Sequence, residues 1–179
     1  MTDHSRVPDT RRILRARAAA LARPLPQVDT ITDRIQVIEF TLGSESYAVE
    51  LAYVAEVRGL ANLTPLPGTP PLIAGIVAVR GHIISVVDLK VLLGLPRAAQ
   101  TGAEKALILR HNAMEFGLLV DGVTGVQALP SEQIHPPLPT THGSGARYVR
   151  GITASSLTIL DGGKMLADES FVVNEEANV

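Results

Sequence analysis

Apolar and polar residues alternate in short runs along most of the chain, which is the pattern of strands with one buried face. Two such runs, at residues 38–42 and 47–51, flank the polar segment Gly43-Ser44-Glu45-Ser46. We expect these runs to form a hairpin that turns in this segment. Short apolar runs separated by turn residues continue beyond it. The pattern therefore predicts a mainly β fold.

The stretch from Gly75 to Leu93 carries the strongest local signals. Two β-branched runs, 76–79 and 83–87, flank Arg80-Gly81. Glycine supplies the φ freedom that a two-residue hairpin turn needs, so we expect Arg80 to project from the tip of a rigid hairpin. Asp88 then precedes an apolar segment that ends before Gly94, which predicts a short helix capped by Asp88.

The second half of the chain repeats the first in outline. Three short segments recur in the same order, which is hard to obtain by chance among apolar residues. The matched segments are Tyr47-Ala48-Val49 with Phe116-Gly117-Leu118, residues 72–76 with 148–152, and Val87-Asp88-Leu89 with Leu160-Asp161-Gly162. The repeat predicts two similar β units, and paired small barrels would hide their sheet edges.

Residues 1–34 differ in charge from the rest of the chain. They hold seven Arg and four Asp, a net charge of +3, whereas the remainder carries −5. An Arg- and Ala-rich run from about Pro8 to Ala22 favours helix, and Pro24 and Pro26 stop it. Two interpretations stay open for this basic extension: a marginal helix followed by a linker, or a helix that docks on an acidic partner.

Composition narrows the class of protein. The chain has 179 residues, 46% of them hydrophobic, which is enough for a real core, and it has no Cys, which fits a reducing cytoplasm. No apolar run approaches the roughly 18 to 20 residues that cross a bilayer, so we expect no direct membrane insertion. The Arg11-Arg12 pair is similar to an export signal, but Arg15, Arg17 and Arg23 interrupt the apolar region that such a signal needs.

The sequence offers little support for catalysis, metals or cofactors. His135 and His142 lie in a Pro-rich loop without carboxylates at ligand spacing. Serine nucleophiles lack a glycine elbow, and the Gly143-Ser144-Gly145 segment lacks the rest of a phosphate-binding loop. Asp88 and Asp121 are better explained as a helix cap and a turn residue than as an acid/base pair. We therefore expect no catalytic residue, no metal site and no cofactor.

Several ordered motifs resemble those of the CheW chemotaxis coupling proteins over about residues 36 to 170. The motifs are Phe40-Thr41-Leu42-Gly43, Tyr47, Val54-Ala55-Glu56-Val57-Arg58-Gly59, Gly75-Ile76, Val79-Arg80-Gly81, Val87-Asp88-Leu89 and Val120-Asp121-Gly122-Val123. The resemblance implies two intertwined five-stranded SH3-like β-barrels with short helices. On this basis we expect a domain at 35–179, with a first barrel at about 35–100, a second at 101–179, and room for strand exchange between them.

The same resemblance implies a non-enzymatic adaptor. Such an adaptor links the tips of methyl-accepting chemoreceptors to the regulatory domain of a CheA-like histidine kinase, in the cytoplasm and at the inner membrane face through the receptors. Residues that match the family's partner-binding positions are Val54, Glu56, Val57, Arg58, Gly75 and Arg80. An apolar floor with a few oriented charges at its edge suits a bound receptor helix.

Some features leave alternatives open. Ala78 stands where the family commonly has Asn, His82 follows the turn, and the N-terminal extension is additional. The chain could therefore serve a related chemosensory array, or be a detached kinase-regulatory module of the same fold. SH3-like barrels also bind nucleic acid, but 3% aromatic residues and the −5 body give poor stacking and electrostatics, so we expect no nucleic-acid partner.

Overall fold

The computed structural model describes residues 33–60, 63–96, 105–137 and 145–171. The helix expected within residues 1–34 lies outside the described residues, as do the 97–104 linker and the Gly143-Ser144 part of the Gly-rich loop. No helix in the described ranges is long and apolar enough to cross a membrane.

Strands and short helices alternate with tight turns in the described chain. The strands are β1 (Arg34–Leu42), β2 (Glu45–Glu50), β3 (Val54–Gly59), β4 (Ile73–Val79), β5 (His82–Asp88), β6 (Lys105–His111), β7 (Met114–Val120), β8 (Gly122–Pro130), β9 (Val149–Ile152) and β10 (Thr158–Leu160). The α-helices are α1 (Leu89–Leu93) and α2 (Gly162–Leu166). Single 3-10 turns occupy Leu51–Tyr53, Ser131–Gln133, Ala146–Tyr148 and Glu169–Phe171. The mainly β prediction is confirmed.

The strands form two five-stranded sheets. Sheet I has the order β8-β1-β2-β10-β9, and sheet II has the order β3-β6-β7-β5-β4. The chain starts in sheet I, builds all of sheet II, and then returns to complete sheet I. A boundary near residue 100 therefore does not separate the sheets, because the parallel pairings β2–β10 and β5–β7 join strands that are distant in sequence.

The two sheets repeat the same pairing scheme, which confirms the internal repeat. In sheet II, Val86 of β5 pairs in parallel with Gly117 of β7. In sheet I, Ile159 of β10 pairs in parallel with Ala48 of β2. Ala48 and Gly117 are the middle residues of the matched tripeptides in the sequence. Each sheet is thus one copy of the same unit, built around equivalent central strands.

Alternation along the central strands divides the core into layers. On β6, Leu107 and Leu109 belong to a large cluster shared by both sheets, whereas Ala106 and Ile108 belong to a cluster made by sheet II and the segments beside it. Successive side chains point to opposite faces of a strand, so both faces of β6 are buried. Full burial of a side chain such as Leu107 stabilises the fold by about 1.5–3 kcal/mol. The shared layer holds the two sheets together.

The β4–β5 hairpin and the helix after it form as the sequence predicts, with one difference at the turn. Both turn residues have left-handed backbones, with φ of 51° at Arg80 and 86° at Gly81. This is the geometry of the two-residue turn that matches strand twist. The Asp88 carboxylate accepts hydrogen bonds from the N–H groups of Lys90 and Val91, and Gly94 ends α1 in the left-handed conformation.

Candidate protein-interaction surface

The six residues predicted from the sequence resemblance to bind a partner all lie on the two edge strands of sheet II or at the turn beside them. Val54, Glu56, Val57 and Arg58 are on β3, Gly75 is on β4, and Arg80 begins the turn after β4. Two side-chain contacts bring these edges together. Arg58 Nη1 donates to the Ala78 carbonyl at 3.3 Å, and Arg80 Nη2 donates to Glu56 Oε2 at 3.0 Å.

Glu56 and Arg80 form an ion pair at the surface of the molecule. The Arg80 side chain is 70% exposed, and the Glu56 side chain is 21% exposed. Arg58 Nε lies 4.0 Å from the other carboxylate oxygen, so Glu56 stands between two guanidinium groups. An exposed pair of this kind adds only about 0.2–1 kcal/mol to stability. Most of the Arg80 guanidinium is therefore open to another molecule at little cost to the fold.

The backbone of Arg80 adds a second observation about this position. A non-glycine residue with positive φ is uncommon, and the two-residue turn favours Asn or Gly at its first position. The sequence predicts the left-handed geometry for Gly81, and the structure places Arg80 in it as well. Arginine is thus present where local turn geometry favours other residues.

The two valines of β3 have different environments. Val57 is 40% exposed and lies beside Glu56 on the outer edge strand. Val54 is half-buried and packs against the core shared by the two sheets. Of the two, Val57 is the one whose side chain is open to a partner. Val54 fixes the start of β3 on the core.

Gly75 is held in place by close backbone packing. A Cβ atom added to Gly75 would lie 2.4 Å from the Thr64 carbonyl oxygen, because Thr64 bridges the neighbouring Ile76. Gly151 has the same environment in sheet I, where an added Cβ would lie 2.5 Å from the His135 carbonyl oxygen. The small size of Gly75 is therefore explained within the fold, without contact to a partner.

Sequence reasoning missed a neighbouring pair, Arg110 and Glu115. These residues lie opposite each other on β6 and β7 at 3.8 Å, and they line a small cleft together with Glu56, Arg80 and His82. The two-residue turn Asn112-Ala113 was the signal that could have placed them across from each other. The charged cluster around Glu56 and Arg80 thus also includes two residues of the inner strands β6 and β7.

Asp121 links the two sheets. It accepts hydrogen bonds from the Gly43 N–H and from Lys90 Nζ, each at 2.6 Å, so the β1–β2 turn of sheet I and α1 beside sheet II share one carboxylate. Burial raises the pKa of Asp121, but the hydrogen bonds from Gly43 and Lys90 outweigh this effect and hold it below its ordinary value. Asp121 and Asp88 both have structural roles, as the sequence predicts.

In the described part of the chain, the side chains considered for metal or nucleophilic chemistry have structural contacts instead. Within the described ranges, no group of three or more His, Asp or Glu residues could hold a metal ion. The backbone of His135 pairs with Ile152, and the hydroxyls of Thr153 and Ser155 are hydrogen-bonded to each other. The described surface instead presents the Glu56–Arg80 ion pair at the edge of sheet II, beside the exposed side chain of Val57.

The described chain thus has two repeated five-stranded β sheets, one of which carries an exposed charged edge. A family model described as the CheW-like domain matches residues 36–170, and the chain belongs to this family of non-enzymatic chemotaxis scaffold proteins. The family resemblance drawn from the sequence motifs is thereby confirmed.

Named relatives and a solved structure align with most of the chain. The chemotaxis protein CheW of Klebsiella aerogenes is 30% identical over 137 residues, which are 75% of this chain and 82% of the relative. Protein PilI of Pseudomonas aeruginosa is 26% identical over 136 residues, which are 76% of each chain. The crystal structure of the scaffolding protein TtCheW from Thermoanaerobacter tengcongensis superposes with a TM-score of 0.66 at 28% identity, covering 87% of this chain and 94% of that one.

Proposed function

We propose that this chain is a non-enzymatic adaptor that couples the tips of methyl-accepting chemoreceptors to a CheA-type histidine kinase. The family and the chemotaxis CheW relatives support this role. The observation that carries it is the exposed Glu56–Arg80 pair, which joins the two edges of sheet II beside the exposed Val57. The two sheets are SH3-like barrels in this proposal, and the protein acts in the cytoplasm, at the membrane face where the receptors lie.

The arrangement of the surface suits recognition of a receptor helix. Val57 offers apolar contact area, while Arg80 presents a permanently charged planar fork that pairs well with a carboxylate. Arg58 and Arg80 flank Glu56, so charges of both signs are fixed within one short edge. Charges held in this way select a partner and its orientation more than they add affinity. An adaptor needs this kind of selectivity because it must fit a defined array.

Reconstitution tests the proposal directly. Membranes that contain a chemoreceptor are mixed with a CheA-type kinase, and kinase phosphorylation is measured while the full chain is added. We expect phosphorylation to rise with the concentration of the chain, and the chain and the kinase to sediment with the receptor membranes. A chain that sediments with neither partner and leaves phosphorylation unchanged would contradict the proposal.

A second arm separates this function from nucleic-acid binding. The purified full chain, without membranes or kinase, is titrated against a random single-stranded oligonucleotide at low and at moderate salt. Binding by the basic N-terminal segment alone would weaken steeply with salt. We expect no salt-resistant binding, since the chain has few aromatic residues for base stacking.

A further inference from the structure

Two inner strands of sheet II carry charged residues beside the sheet's own core. Ile108 of β6 belongs to the core cluster of sheet II, and Arg110 follows on the same face, because alternate residues of a strand share a face. Glu115 lies opposite Arg110 on β7. Val79, a buried member of the same cluster, lines a small cleft together with Arg80, Arg110 and Glu115. We call this feature the arginine cleft.

The equivalent positions of sheet I carry no charge. The matched tripeptides of β2 and β7 align Ser46 with Glu115. Thr41 pairs with Ser46 in the β1–β2 hairpin, as Arg110 pairs with Glu115 in the β6–β7 hairpin. The same backbone plan is therefore built with two short uncharged side chains in one sheet and with an ion pair in the other. The fold does not require Arg110 and Glu115 to be charged.

The cations of this cluster face outward, and the carboxylates lie beneath them. The arginine side chains are 70% exposed at Arg80, 52% at Arg110 and 41% at Arg58, whereas those of Glu56 and Glu115 are 21% and 24% exposed. Oxygen Oε1 of Glu56 is buried. Three guanidiniums and two carboxylates leave a net charge of +1. A molecule that approaches this surface therefore meets mainly positive charge.

The arginine cleft is too small for a free ligand. Its volume is about 30 Å³, and Ala55 and His82 are also part of its lining. Pockets for small molecules usually measure about 300–1,000 Å³. The cleft therefore suits the tip of one side chain from a protein partner. A carboxylate matches a guanidinium best, because the two groups can form a pair of parallel hydrogen bonds.

The internal ion pair leaves Arg110 available for such a contact. Its Nη1 atom lies 3.8 Å from Glu115 Oε1, which is longer than a hydrogen bond, so this contact engages no N–H donor in one. Glu56 and Glu115 each stand beside one arginine of the cleft. They hold the two guanidiniums in place before a partner binds, which lowers the cost of ordering them on binding.

We infer that Arg110 is a second partner-binding cation of this surface, and that the receptor places an Asp or Glu side chain between Arg80 and Arg110. This inference rests on the proposed function. It deepens that function by naming the chemistry of the receptor residue that the adaptor recognises.

Sedimentation of the full chain with receptor membranes, without kinase, tests the inference. Arg110→Gln removes the charge and keeps a polar side chain. We expect the affinity for the receptor to fall about fivefold, the upper end of the range for an exposed ion pair. The matched control is Arg147→Gln in sheet I, which neutralises an arginine that is 62% exposed and paired with Asp168, and we expect it to keep the original affinity.

Glu115→Gln separates partner binding from a purely structural role. If Arg110 acted only through its ion pair with Glu115, the loss of either partner would weaken receptor binding equally. We expect Glu115→Gln to strengthen binding instead, by about twofold, because the removed carboxylate no longer competes with that of the receptor. Arg110→Thr with Glu115→Ser copies the Thr41–Ser46 pair of sheet I, and it should fold and bind as weakly as Arg110→Gln.

The variant with both Arg80→Gln and Arg110→Gln tests whether the two arginines share one carboxylate. We expect it to lose less affinity than the product of the two single losses, since residues that contact the same group are not additive. On the receptor side, each Asp and Glu of the tip is replaced in turn by Arg and tested with Arg110→Glu. One of these replacements should restore binding.

Four outcomes would overturn the inference and leave the proposed function in place. Arg110→Gln could bind the receptor as tightly as the unmodified chain, or Glu115→Gln could lose as much affinity as Arg110→Gln. The losses in the double variant could multiply, or no receptor replacement could restore binding. An unmodified chain that does not sediment with receptor membranes would contradict the proposed function and this inference together. Thermal melting of each variant verifies that the fold is intact.

Discussion

Sheets I and II share one backbone plan but differ in charge at equivalent positions. Each has an edge strand whose pairing skips one residue at the same place, Ala55 on β3 and Thr124 on β8, and the paired residues that follow are Glu56 and Gly125. The next polar positions are Arg58 in sheet II and Gln127 in sheet I. Because sheet I keeps this register shift without the charges beside it, the fold requires the shift and not the charges. The charged edge of sheet II is an addition to the shared scaffold.

The loops between β4 and β5 and between β9 and β10 extend the comparison. Sheet II turns at Arg80-Gly81, whereas sheet I uses the longer 153–157 loop, in which Ser156 has a φ of 64°. Both loops thus contain a non-glycine residue with a left-handed backbone, but only sheet II has an arginine there. Gly75 and Gly151, in contrast, have the same close contacts in both sheets. Shared features belong to the scaffold, and unshared ones are candidates for function.

The largest stability effect should come from the shared glycines. In Gly75→Ala the new Cβ would meet the backbone of Thr64, which cannot move as a flexible side chain would. We expect a loss of about 2–3 kcal/mol in the free energy of unfolding, measured by urea denaturation. Gly151→Ala is the matched variant for the close contact; because Gly151 lacks the positive φ of Gly75, which is 153°, we expect a clear but smaller loss. A clear loss in one sheet only would break the equivalence of the two units.

The helix caps should give a smaller effect. The Asp88 carboxylate accepts from two backbone N–H groups, whereas that of Asp161 accepts from one. We expect Asp88→Ala to lower the free energy of unfolding by about 1 kcal/mol and Asp161→Ala by less. Thermal melting measures both, and the Ser variant at each position should recover part of the loss. An equal loss at the two positions would show that the number of capped N–H groups is not the cause.

The stability of the protein at acid pH should depend on Asp168, a carboxylate that follows α2 and has no counterpart after α1. Hydrogen bonds from Ser170 and Tyr148, with Arg147 beside them, lower the pKa of Asp168 to about 2 from 3.8. The equivalent position after α1 is Leu95. Because the folded-state pKa is lowered, the stabilisation is complete above the unfolded value and is lost as pH falls towards about 2.

The corresponding variant is Asp168→Asn. We expect it to flatten the dependence of stability on pH between about 4 and 2, measured by denaturant unfolding at a series of pH values. Ser170→Ala keeps the carboxylate and should flatten the curve less. An unchanged slope in Asp168→Asn would contradict the assigned hydrogen bonds.

The smallest stability effect is expected at Arg80. Arg80→Asn loses the exposed pair with Glu56 but gains a residue that the turn favours. The two effects oppose each other, so the free energy of unfolding should stay within about 0.5 kcal/mol of the original. A loss well above this value in urea denaturation would place Arg80 among the residues that the scaffold requires.

Local features of this fold could be predicted from the sequence. The β4–β5 hairpin, the Asp88 cap and the end of α1 at Gly94 depend on neighbouring residues, and the structure confirms them. The crossing of the chain between sheets could not be derived in this way. It depends on the parallel pairing of β2 with β10, more than a hundred residues apart, which no local pattern encodes.

The candidate surface could be predicted in part. The motifs indicated Glu56 and Arg80, and the structure joins them in one ion pair. Val54 and Val57 are three residues apart, so alternation places their side chains on opposite faces of β3. Which of the two faces is covered by the core could not be predicted from the strand alone. The packing role of Gly75 became visible only through Thr64, because the approach of a distant backbone leaves no mark on the glycine itself.

A charge exchange in the receptor and kinase assay tests most directly the claim that the charged edge of sheet II binds a partner. Arg80→Glu, Glu56→Arg and the double variant are compared with Arg147→Glu, which reverses another mostly exposed arginine that is paired at 2.8 Å with Asp168. We expect Arg80→Glu to lower kinase activation about tenfold, or 1.4 kcal/mol, and Arg147→Glu to leave it unchanged. The double variant restores the internal ion pair and should remain inactive. Full recovery of activation in the double variant would contradict the claim, because the pair would then matter only within the fold.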